Sequence, residues 1–283
     1  MTNILIQGLA LSGLYALVAV GFTMIFSVGR VLNLAHGVFL MLGGYAYYTA
    51  VQVFGISKGA GIAIAVLAGA AFGILTYTVL VRRLEHNPIA VEISTLILAV
   101  VMQALIVVVY TSAPKSMWPI VPGVFRHEGV FVSHNILAAM VLSWIVLGGL
   151  VVFVRRTRLG RALRAVSMDR KGAVISGIDP HRMSLATWAI SGGLAALAGV
   201  FFATYTQLTP GMWVAPLIIA VAVVVVGGIG SIVGSLVVAH LIGFMETVTT
   251  TLVAAELRGV FTMVLVIVVL VIVPKGLFGR EEL

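Results

Sequence analysis

Two long uncharged stretches, Ser133–Val154 and Ser184–Ile229, flank a basic island, Arg155–Met183. Each stretch reaches or exceeds the roughly 20 apolar residues that cross a hydrocarbon layer. Backbone placed in such a layer must pair its own polar groups, as a helix or a closed barrel. The island is RRTRLGRALRAVSMDRKGAVISGIDPHRM and holds eight of the 17 Lys and Arg residues, opposed only by Asp169 and Asp179. Six of the chain's eight surplus positive charges therefore sit in one segment. Lys and Arg accumulate on the cytoplasmic side of membrane proteins, so the island is expected to be a cytoplasmic loop. The whole chain is 61% hydrophobic and 9% charged, far below the roughly 25% charged residues of a soluble domain. It has no cysteine, which excludes disulfides and thiolate metal sites. The basic balance fits loops facing an anionic lipid surface and shows no nucleic-acid patch.

Apolar length predicts the spans in order: Ile4–Val28, Leu34–Phe54, Gly59–Val81, Ile93–Thr111, Asn135–Val154 and Ser184–Thr206. A polar turn, Leu84–Glu92, precedes the fourth, and Arg82 and Arg83 end the third. The run Pro216–Glu246 is 31 residues long and broken by GGIGS at Gly227–Ser231, so it reads as two shorter helices or a re-entrant pair. Gly259–Val273 is the last span. Charge parity then favours an all-α polytopic protein of eight or nine crossings, with the N-terminus outside and the C-terminus cytoplasmic, where Lys275 and Arg280 belong. Residues 1–283 form a single transmembrane domain on this reading, with 155–183 as its cytoplasmic segment. The near-neutral loop Ser112–His134, with Pro114, Pro119, Pro122 and Glu128, is expected outside. Small-residue ladders at Gly61, Ala65, Gly69, Gly73 and at Ala195, Gly199, Ala203 predict close helix packing.

Inside the island, Leu159, Ala162, Leu163 and Val166 fall on one face of a short helix, beside Arg158, Arg161 and Arg164. Asp169 is placed to cap a second short helix that Gly177 ends, and Asp179-Pro180 turns the chain back. The apolar face of such helices needs a cover, either the lipid interface or a groove on a cytoplasmic partner. Further polar positions inside or beside the spans are Asn33, His36, Gln103 and His240. Asn33 and His36, at the inner start of the second span, suit either backbone bonding between the first two helices or a gate. Gln103 is a candidate pathway residue. Gly227, Gly228 and Gly230 permit either a tight turn or a broken helix near a substrate route. Glu92 and Glu246 lie toward span ends, away from the position of a central proton relay. No Gly-Lys pair occurs, so the phosphate-binding loop of ATPases is absent.

Four blocks carry a resemblance. RVLNLAHGVFLMLGGY (Arg30–Tyr45), GRALRAVSMDRKGAVISGID (Gly160–Asp179), VVVVGGIGSIVGSLVVA (Val223–Ala239) and PKGLFGR (Pro274–Arg280) occur in that order. Together they resemble the permease family of branched-chain amino-acid ABC transporters, closer to its LivH-type subunit than to the longer LivM-type one. The resemblance implies a permease subunit of a binding-protein-dependent importer in a prokaryotic plasma (inner) membrane. Its implied partners are a second permease subunit, LivM-like or identical, two cytoplasmic ATPase subunits, an extracytoplasmic substrate-binding protein and membrane lipid. ATP and Mg would be used by those ATPases, with no cofactor and no catalytic residue in this chain. Gly160–Ser176 corresponds to the family's coupling helix, with Arg161, Leu163, Arg164, Asp169, Gly177 and Asp179 as the ATPase-coupling residues. The loop Ser112–His134 is shorter than in many relatives and faces the binding protein. The rival class is a stand-alone carrier or channel for a small neutral solute such as urea or an amide.

Overall fold

The computed structural model describes residues 2–127, 130–254, 257, 259–273 and 276–278. It is almost wholly helical. Among the described residues, six helices are long and apolar enough to cross a membrane: Thr2–Gly29 (α1), Lys58–Leu84 (α3), Pro88–Tyr110 (α4), His134–Arg156 (α5), Pro180–Thr206 (α8) and Ile232–Leu252 (α10). Shorter apolar helices are His36–Tyr48 (α2), Val214–Gly227 (α9) and Val260–Ile272 (α11). Two short helices, Arg158–Met168 (α6) and Arg170–Ile175 (α7), lie within the basic island. Lys275 and Arg280, which parity assigned to the inner side, and Glu128 lie outside the described residues.

The bundle is organised round α1 and α8, which are buried on nearly every side, whereas α4 and α5 present most of their surface outward. The cause is side-chain size. Along α8, Gly192, Ala195, Ala196 and Gly199 let three helices approach its backbone. A Cβ at Gly199 would stand 1.9 Å from the Leu40 carbonyl oxygen of α2, and one at Gly73 of α3 would stand 2.2 Å from that of Trp188. Both ladders predicted from the sequence are thus contact lines, with Gly69 against Gly192 and Ala196.

The loop between α4 and α5 holds an antiparallel hairpin that the sequence reading did not expect, Val124–His127 (β1) with Val130–Ser133 (β2). It marks one end of the bundle. There Phe131 N–H donates to Asn3 Oδ1, and Lys58 Nζ donates to the carbonyls of Pro119 and Ile120. The other end carries the basic island. The glycine break lies at that basic end as a turn: Gly228 and Gly230 have φ of 91° and 85°, and Ser27 Oγ donates to the Gly230 carbonyl. Gly227, Gly228 and Gly230 thus form the tight turn that their residue type permits. Ser231 then caps α10 through the Gly234 N–H.

The second span corrects the sequence reading. Expected to begin near one membrane face at Leu34, it begins as a helix only at His36, whose Nε2 bonds the Val18 carbonyl at 3.0 Å. Val18 lies eleven residues before the end of α1 at Gly29, about 16 Å into the bundle at 1.5 Å per residue. The segment from Arg30 to Ala35 retraces that depth without helix. The fourth helix starts earlier than expected, at Pro88, because Asn87 Oδ1 caps it through the Ala90 N–H and proline suits the first helical position.

Candidate functional site

Two regions gather the residues singled out by sequence: the basic end and the middle of the bundle. At the basic end α6 lies across the foot of α5. Gly160 makes this possible, since a Cβ there would come within 2.3 Å of the Phe153 carbonyl. Thr157 caps α6 through the Gly160 N–H. Leu163 and Val166 are buried at 3% and 4% exposure. Half of the expected apolar face, Leu163 and Val166, is therefore covered by this chain itself, while Leu159 stays exposed and Ala162 half-buried. Leu163 holds α6 to the bundle. What remains outward is Arg158, Arg161 and Arg164, with Met168, Val174 and Ile175 beyond them.

Asp169 caps α7 as expected, accepting from the Lys171 N–H at 2.9 Å. Gly177, at φ 79°, ends α7 with the paired bonds of a Schellman turn, Gly177 N–H to Val174 and Ile178 N–H to Ala173. Asp179 caps α8 through the His181 N–H and pairs with Arg182 at 3.4 Å. These three residues shape the segment. Arg161 and Arg164 are among its exposed charges, and an outward row of guanidinium groups attracts an acidic surface and orients its approach.

Beneath α6 and α7 lies a cavity of about 250 Å³, lined by residues that include Gly29, Arg30, Glu85, Pro88, Ser167 and Arg170. Two contacts bridge it. Arg30 Nη2 donates to the Ser167 carbonyl, and Arg170 Nη2 lies 3.4 Å from each carboxylate oxygen of Glu85.

In mid-bundle the structure brings Asn33, His36 and Gln103 close to one another through their partners. Asn33 Oδ1 accepts from the Ala35 N–H, and the Leu34 N–H donates to Thr95 Oγ1 of α4. Those bonds satisfy backbone that has no helix or solvent to pair with, as buried irregular backbone requires. His36 is fully buried, edge-on to Phe22 and Phe39. Of the two readings for Asn33 and His36, the bonds made are to backbone. Gln103 Oε1 accepts from the indole N–H of Trp213 at 2.5 Å. Trp213 immediately precedes α9, and its carbonyl faces Gly37, where a Cβ would stand 2.4 Å away.

Two helices thus begin side by side halfway along the bundle. From this level α2 rises to the hairpin end and α9 descends to the basic end. With 14 residues, α9 is about 21 Å long, short of the roughly 30 Å of a hydrocarbon core. Interrupted helices of this kind occur where transporters build substrate routes.

Sequence reasoning missed Glu85, Thr95 and Trp213, and did not foresee the partner of Glu246. Thr95 carries no local signal, whereas the Thr-Pro-Gly-Met-Trp run before α9 is a breaker signature that marks an interruption. Glu246 lies in the last third of α10, as expected, yet is buried inside the bundle. It is 2% exposed and accepts from Tyr15 Oη at 2.9 Å. His240 is satisfied, with Nδ1 on the Leu236 carbonyl.

Residues 4–270 match the family described as "Branched-chain amino acid transport system / permease component". The high-affinity branched-chain amino acid transport system permease protein BraD of Pseudomonas aeruginosa is 30% identical, over 98% of this chain and 95% of its own length. The corresponding permease protein LivH of Escherichia coli is 29% identical over 98% and 94%. A probable LivH of Methanocaldococcus jannaschii is 27% identical over 95% and 90%. No solved structure matches the chain.

Proposed function

The chain belongs to the family of permease components of branched-chain amino acid transport systems, and on that premise we propose that it is one membrane-spanning half of an ATP-driven importer for branched-chain or similar hydrophobic amino acids. A second permease subunit completes the membrane part, two cytoplasmic ATPase subunits drive it, and an extracytoplasmic binding protein delivers substrate to the hairpin end. The observation that carries this reading is the basic island. Leu163 and Val166 anchor it to its own bundle, which leaves its arginines, with Leu159, Val174 and Ile175 beside them, turned outward for another protein. Without a Gly-Lys pair, and so without a phosphate-binding loop, the chain depends on ATP hydrolysed elsewhere.

A nine-crossing topology, basic end cytoplasmic and N-terminus outside, has support from the end of the chain. Leu277 N–H donates to the Val226 carbonyl and Phe278 N–H to that of Gly227, both at the basic end. The segments at 30–35 and 207–213 complete the crossings that α2 and α9 make only in part. Closure of the ATPases moves α6 and α7, the spans rock, and the cavity between the two permeases alternates between the faces. The test is the complete transporter in proteoliposomes carrying Arg161→Glu and Arg164→Glu. Uptake is expected to fall about tenfold or more relative to ATP hydrolysis, since reversed charge opposes the acidic partner surface. Unchanged uptake, or uptake without any ATPase subunit, overturns the reading in favour of a stand-alone carrier.

A further inference from the structure

We propose that α4 is the rod that carries motion from the island to the middle of the bundle, with Glu85, Thr95 and Gln103 as its positioning residues. This rests on the reading above, in which the ATPases move α6 and α7. The helix suits the task. Between Pro88 and Tyr110 it contains no glycine and no second proline, the usual sites of kinks. It lies mostly free of the bundle, touching it along one stripe at Val91, Thr95, Ala99 and Ile106.

Along that stripe its polar ties join two levels. At the basic end Glu85, in the turn before α4, meets Arg170 of α7 across the 250 Å³ cavity, which leaves the island room to shift. Thr95 holds the Leu34 N–H just before α2, and Gln103 holds the Trp213 indole just before α9. A push on Glu85 therefore reaches both mid-bundle helix starts through one stiff element. Exposed ion pairs add little stability, so the Glu85–Arg170 pair serves to keep α7 and α4 in register. Coupling through a packed element requires that both sites bias one movable part, and the unwound segments at 30–35 and 207–213 are that part.

The test is amino-acid uptake per ATP hydrolysed by the complete reconstituted transporter. Glu85→Gln and Gln103→Leu are each expected to lower this ratio about five- to tenfold, the lower end of ordinary coupling energies. Thr95→Val should do likewise and Thr95→Ser should not. Trp213→Phe removes the same bond from the other side and replaces Gln103→Leu should that variant fail to assemble. The decisive measurement is the double variant of Glu85 and Gln103. The two residues stand about 25 Å apart along the helix, where independent effects multiply to about 25- to 100-fold. Two breaks in one rod lower the ratio no further than the worse single break. A multiplicative double variant, or single variants with normal ratios, overturns the proposal. Normal coupling in the Arg161→Glu, Arg164→Glu control would instead place the failure in the functional reading itself.

Discussion

Leu163→Ala separates attachment of the coupling segment from its contact with a partner. Leu163 is 3% exposed and, with Gly160 and Val166, forms the face by which α6 rests on the bundle. Removing its three outer carbons costs about 2–5 kcal/mol, transfer and cavity terms together. Because α6 lies at the edge of the bundle, that cost falls on local detachment and leaves the global fold largely unaffected. A central loss of about 3 kcal/mol raises the opening equilibrium about 150-fold, at 1.4 kcal/mol per factor of ten. Amide hydrogen exchange of the purified protein, read by mass spectrometry, should show residues 161–167 exchanging about 100-fold faster. Amides of α1 and α8 should be unchanged. Leu163→Met conserves volume and costs below about 1.5 kcal/mol, so its acceleration should stay near tenfold or less. Unaltered exchange in Leu163→Ala would refute the docked arrangement of α6. Acceleration spread through α1 and α8 would refute its independence from the bundle.

Other outcomes follow from the packing. Gly199→Ala forces a methyl against the Leu40 carbonyl, where neither backbone can rotate away. Overpacking of about 1–3 kcal/mol or more is expected, seen as a lower midpoint of thermal aggregation in detergent. Gly148→Ala, with nothing within 4 Å, is the matched control and should be neutral or slightly stabilising. Tyr15→Phe removes a donor from the buried Glu246 carboxylate and should cost about 1–3 kcal/mol in the same assay. An unshifted midpoint would mean that the carboxylate draws its stability from its other surroundings.

Much of the architecture was legible in the chain because the forces that set it act locally. A bilayer demands apolar length, so α1, α3, α5 and α8 were found near their true bounds. Capping and C′ geometry depend on a few adjacent residues, so Asp169, Gly177 and Asp179 took their expected places. The small-residue ladders foretold contact lines without naming the partners. Apolarity, by contrast, says that a face must be covered and not by what, which is why Leu163 proved to face its own bundle.

The depth at which α2 begins belongs to tertiary structure alone. Leu34 finds its acceptor in Thr95, 61 residues away, and Trp213 finds Gln103 at a separation of 110. Hydropathy leaves residues 30–33 and 207–213 outside the spans it predicts. It cannot register how deep their unwound backbone runs, because the groups that satisfy an unwound strand lie on other helices, brought there only when the bundle closes.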